Sequence, residues 1–236
     1  MLFLIYNFDI PRFIQIFIVQ GLIGFVYIFI AIKILRRERK GISFYLSIFY
    51  ICGGCGVIIN IVYALIFQET IVYILHFLTY YILCFSLIFL TISVLLLLKS
   101  EKIITFKIRF LIIFIFGLSI FGLWFIPNGI TINQSTDWKP VWSWTFFIYS
   151  IIICSSFAIG PTTYFAIKLY NKFEHDELRK KWKFFLIGIF TYFFLYYGTS
   201  LSNTLAYQLF RLIWSLVSLP TLISLYFIYY GVAKQL

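Results

Sequence analysis

The sequence predicts an all-α bundle of seven membrane-crossing helices, with the N-terminus outside and the C-terminus in the cytoplasm. Three observations lead there. Apolar residues make up 63% of the chain and the mean hydropathy is +1.01, beyond what a soluble globule of 236 residues carries. The 19 Lys or Arg and 8 Asp or Glu gather in short clusters between apolar runs too long for ordinary core helices. Those runs are continuously apolar, without the alternation that barrel strands require.

The runs fall at 13–35, 42–67, 70–98, 108–126, 141–169, 184–204 and 212–230 of one membrane domain, 1–236. Each has the ~20 residues that cover a hydrocarbon core of about 30 Å. The third and fifth exceed that need and are expected to tilt or protrude. The first is read as its own insertion signal, because Asp9, Pro11 and Arg12 break the preceding apolar stretch and no small-residue cleavage site follows. In the second, Gly53, Gly56, Asn60 and Ala64 recur at spacings of three and four, a stripe of small side chains that lets a neighbouring helix approach. Cys52-Gly53-Gly54-Cys55 has the spacing of a thiol redox pair, but it lies mid-span with no base or cation beside it. Gly160-Pro161 in the fifth run and Pro220 in the seventh are expected to bend their helices, since proline lacks the N–H and its ring clashes with the preceding turn.

Charge sets the orientation. Sixteen basic residues occupy one set of connections: Lys33, Arg36, Arg37, Arg39, Lys40, Lys99, Lys102, Lys107, Arg109, Lys168, Lys172, Arg179, Lys180, Lys181, Lys183 and Lys234. The other side holds Arg12, Lys139 and Arg211. The positive-inside rule places the larger set in the cytoplasm, and seven spans then put the N-terminus outside. Separate clusters at helix ends, instead of one basic face, argue against nucleic acid as the partner of a chain with net charge +11. The connection 127–140, with Asn128, Gly129, Asp137 and two prolines, is expected to be an exposed external loop, and its Asn133-Gln134-Ser135 matches a glycosylation acceptor. No connection has room for a soluble catalytic domain.

Polar and aromatic residues collect in the external halves of the spans: Asn60, Tyr63, His76, Tyr80, Trp142, Trp144, Tyr149, Tyr196, Ser200, Asn203, Arg211 and Trp214. His76 and Tyr80 are four apart on one helix face. Asn60, His76, Tyr80, Trp144, Tyr149, Tyr196, Asn203 and Arg211 are the candidate lining of a small-ligand pocket between helices. An interfacial aromatic belt with scattered interhelical hydrogen bonds is the competing account of the same residues. His76 stands out because an ionisable group within a span is a functional candidate by default. No charged residue falls near mid-span, which argues against ion pumping. His76 and His175 lie far apart on opposite sides of the membrane, so no metal, cofactor or catalytic residue is expected.

The stretch 164–172, the run Glu177-Leu178-Arg179-Lys180, Gly188 and the closing Tyr229-Tyr230-Gly231 resemble the seven-helix N-terminal sensor region of microbial histidine kinases and related signalling proteins. The resemblance covers mainly the second half of the chain. It implies a sensor or receptor-like module without enzymatic activity in the cell membrane, and it implies output through a cytoplasmic signalling protein, because no kinase segment is present. A small-molecule transporter or channel, or an accessory subunit of a membrane complex, are the alternatives.

Overall fold

The computed structural model describes residues 13–37, 41–99 and 102–232; Arg12, Arg39, Lys40 and Lys234, which enter the charge asymmetry, lie outside them. Among the described residues are seven helices long and apolar enough to cross a membrane. They are α1 (Ile16–Arg37), α2 (Gly41–Tyr63), α3 (Glu69–Leu98), α4 (Phe106–Phe125), α5 (Trp144–Tyr170), α6 (Asp176–Leu205) and α7 (Gln208–Val232). The protein is an all-α seven-helix bundle and a multi-pass membrane protein. Large exposed side chains such as Phe25, Phe110, Leu118, Ile152 and Phe194 supply its lipid-facing surface.

Each helix packs on its sequence neighbour, and α7 returns to touch α1 and close the ring. The most buried member, α3, packs against α2, α4 and α5, whereas α4 sits at the periphery. Hydrophobicity cannot drive helices together in lipid, so close backbone approach carries the packing. The small-residue stripe of α2 is divided between two partners. A Cβ on Gly53 would lie 2.2 Å from the Tyr27 ring of α1, whereas one on Gly56 would lie 2.7 Å from Leu83 of α3. The tightest backbone contact joins α6 and α7: a Cβ on Gly188 would meet the Ile228 nitrogen and Ser224 carbonyl at 2.9 Å, and one on Gly231 would meet the Phe185 backbone at 2.9 Å.

Several boundaries differ from the apolar runs. The helix of the sixth run begins at Asp176 instead of 184. Its first turns carry Asp176 and Glu177, which suit the helix N-terminus, and the buried Trp182 indole donates to the Ala166 carbonyl (2.8 Å) and so fastens α6 to α5. The fifth run starts at Trp144, where the Ser143 hydroxyl caps the helix by accepting from the Phe146 N–H (3.2 Å). Val141 and Trp142 instead form strand β2 (Val141–Trp142), paired antiparallel with β1 (Ile130–Thr131) in the register Ile130 to Trp142 and Thr131 to Val141. The connection is therefore not simply an exposed loop. Ile130, Ile132 and Trp142 turn inward and are buried, closing this end of the bundle over α3. Asn133 caps the short 3₁₀ turn Gln134–Thr136, its side-chain oxygen accepting from the Thr136 N–H and the Ser135 hydroxyl.

Both proline sites interrupt their helices more deeply than a bend. In α5 the stretch Ser155–Ile159 is a π-helix, and the Gly160 N–H reaches back five residues to the Ser155 carbonyl. Pro161 cannot donate, so the backbone widens just before it. In α7 the helix stops at Val217 and restarts at Thr221, with Ser218, Leu219 and Pro220 forming the break.

Candidate functional site

One face of α3 carries His76, Tyr80, Cys84, Leu87 and Thr91, at the spacings of three and four that align side chains along a helix. Three of these, Tyr80, Cys84 and Thr91, send a polar group toward α5, and with His76 they make a buried column along α3.

At the loop end, His76 is only 5% exposed and both ring nitrogens are engaged by protein. The Trp142 indole lies 3.1 Å from Nε2, and the Tyr63 hydroxyl lies 3.0 Å from Nδ1. An indole N–H can only donate, so Nε2 is the acceptor and the neutral ring carries its proton on Nδ1, directed at Tyr63. The sequence alone leaves His76 within reach of interfacial water. The inward-folded β2 strand replaces that water with Trp142, whose ring also packs edge-on to Tyr80 at 4.6 Å.

One turn deeper, the Tyr80 hydroxyl bonds to Ser150 of α5 and to Tyr196 of α6 (3.1 Å), and Ser150 also meets Tyr196 at 2.9 Å. This closed triangle of hydroxyls joins three helices. Below it, Cys84 meets Cys154 of α5; both thiols are buried, and the helices bring together two cysteines that look isolated in the sequence. Deeper still, the Thr91 hydroxyl bonds to Thr162 (2.8 Å) and the Ala158 carbonyl (3.3 Å) at the α5 interruption. Side chains of neighbouring helices are the usual means of satisfying backbone at such breaks.

Further hydroxyls tie this column to the rest of the ring. Tyr197 of α6 bonds to Ser155 at the start of the π-helical stretch (2.7 Å), and Tyr27 of α1 donates to Tyr192 of α6 (3.2 Å). Tyr50 of α2 donates to the Leu225 carbonyl just beyond the α7 break (2.7 Å).

Of the candidate pocket residues, His76, Tyr80 and Tyr196 belong to this column. The others are elsewhere. Asn60 donates to the Gln20 side chain and fastens α2 to α1. Tyr149 donates to the Ser119 carbonyl of α4 (2.9 Å), and Trp144 points outward at 55% exposure, as an interfacial belt residue does. Arg211 clamps the start of α7 to the loop, donating to the Pro140 carbonyl (2.5 Å) and the Ser202 carbonyl (3.4 Å). Asn203 is half-buried near the end of α6, outside the column. Sequence reasoning passes over Thr91, Ser150 and Thr162 in the column and Ser155, Tyr197, Tyr27, Tyr192 and Tyr50 in the ties around it. Tyr192 and Tyr196 repeat the four-residue spacing of His76 and Tyr80, and that was the available signal.

The column is packed solid. Its polar groups bind one another, so a ligand reaching it must displace an existing partner. Two surface concavities lie elsewhere: one beside Glu69, Asn133, Gln134, Ser135 and Trp138, the other between α3 and α4. Comparison with known protein families, curated proteins and solved structures finds no match to this chain.

Proposed function

We propose that this chain is a sensor module of the cell membrane, with its N-terminus outside and its C-terminus in the cytoplasm, lacking enzymatic activity of its own. It senses a small ligand or the state of the membrane at the loop end. The observation that carries this reading is the buried column itself, which runs from His76 through Tyr80, Ser150 and Tyr196 to the interrupted turn of α5. Its hydrogen-bonded groups stack along α3 and end on irregular backbone, and an exchange of partner at one of them is the discrete step that a two-state element needs. Displacing Trp142 or Tyr196 from its partner releases α5 at one end, and the shift reaches the basic connection between α5 and α6. Lys172, Arg179, Lys180, Lys181 and Lys183 there are the surface offered to a cytoplasmic signalling protein, in line with the resemblance to kinase sensor regions.

The test measures populations. Spin labels at Lys172 and Leu219 report the distance between the basic end of α5 and the break in α7. Tyr196→Phe and Trp142→Phe are expected to change the distribution of that distance. One distribution common to wild type and both variants would refute the sensor reading.

The α7 break favours a second reading, since discontinuous helices also build transporter sites. Accumulation of a solute by proteoliposomes holding the purified protein supports that reading over sensing.

A further inference from the structure

The periphery of the bundle carries a feature unrelated to the column. On α4, Phe106, Phe110 and Phe114 stack in succession with ring centroids 6.5 and 6.2 Å apart, and they are 68, 59 and 55% exposed. Facing them on α3, Phe77, Tyr81 and Phe85 form a second stacked ladder at 6.2 and 5.6 Å. Between the two runs a groove of about 310 Å³ whose floor includes Gly117. That glycine keeps it open, because a Cβ there would come within 2.9 Å of the Phe85 ring. The groove offers no unsatisfied polar group: the Tyr81 hydroxyl is already bonded to the Gly117 carbonyl (3.3 Å). From Phe121 to Phe110 it extends about 16 Å along the helix axis. Its chemistry suits hydrocarbon.

One end of the groove is charged. Lys107 precedes Phe110 by three residues and Phe114 by seven, so it continues the same face, and Lys99, Lys102 and Lys107 are all exposed there. The first turn of α4 begins at Thr105 with no side-chain cap, which leaves backbone N–H groups directed the same way.

We infer that the α3–α4 groove is a binding site for one anionic phospholipid, whose acyl chain lies between the two aromatic ladders and whose phosphate is held by Lys107 and Lys102. The complementarity is of two kinds in one line: an apolar slot of chain length, and a cationic end where a phosphate would lie. A zwitterionic lipid fills the slot equally well but cancels its attraction at the headgroup. Each cation near the membrane surface is worth about a fivefold gain for an anionic lipid.

Native mass spectrometry of the detergent-purified full chain, titrated with dioleoyl phosphatidylglycerol or dioleoyl phosphatidylcholine, reads this directly. One phosphatidylglycerol is expected to be retained per chain, in preference to phosphatidylcholine. Lys107→Gln should cut that preference about fivefold, with an unchanged melting temperature in lipid-free detergent. Leu118→Trp, at an exposed position on the groove wall, should weaken both lipids alike. A phosphatidylglycerol with a diazirine near mid-chain is expected to label α3 and α4 around Phe85, Phe114 and Gly117. Equal retention of the two lipids, or labelling spread over the other helices, would overturn the assignment. Retention is read without any partner or signal, so failure of the sensor reading leaves this result standing, and the reverse also holds.

Discussion

Water is replaced at His76 by two protein groups with fixed roles, an indole that only donates and a phenol that can do either. Removing one partner is costly because the other is left unmatched in a low-dielectric interior. Trp142→Phe, which keeps the ring but deletes the N–H, should destabilise the protein by about 1–3 kcal/mol in thermal melts in detergent. His76→Phe should cost a similar amount, by stranding the Trp142 N–H. The double variant should cost clearly less than the sum, since it removes donor and acceptor together. Strict additivity would show that the 3.1 Å contact contributes nothing to the fold.

At the scale of the element, the glycines divide by what their missing side chains admit. Gly188 and Gly231 let α6 and α7 touch backbone to backbone, whereas Gly21 in α1 has nothing within 4 Å of where its Cβ would be. Gly188→Val is expected to destabilise by about 2 kcal/mol or more, because the clash is with main chain that cannot give. Gly21→Ala should be neutral or stabilise by up to about 1 kcal/mol through helix propensity. Chemical denaturation in mixed micelles measures both, and equal effects would show that the α6–α7 approach is not what those glycines serve. The α5 interruption follows from Pro161 acting on a helix already held by Thr91 and Tyr197. By contrast α7 separates into two helices at Ser218–Pro220, and the Tyr50 hydroxyl of α2 reaches it only beyond the break, at Leu225.

For the whole molecule, seven spans among the described residues put the start of α1 and the end of α7 at opposite faces of the bilayer, and the proposed orientation puts Gln134 outside and Lys172 inside. Single cysteines introduced at Gln134 and Lys172 are expected to react with a membrane-impermeant maleimide in intact cells only at Gln134, with Lys172 becoming reactive after permeabilisation. Labelling of Lys172 alone would reverse the proposed orientation, and labelling of both in intact cells would remove α5 as a span.

The number of helices, their rough positions and the location of both interruptions follow from the sequence, because hydrocarbon imposes a length and an apolar content that each span must meet by itself. His76, Tyr80 and Tyr196 were legible as candidates for the same reason, since a polar side chain inside an apolar run needs a partner somewhere. Which partner it finds was not legible. Trp142 reaches His76 only because a two-residue strand turns inward, Arg211 and Tyr149 serve other contacts, and the α2 glycines divide between two helices. Lipid supplies no hydrophobic force to choose one helix face over another, so those pairings depend on small differences in shape and hydrogen-bond geometry between segments far apart in the chain, and only the assembled bundle decides them.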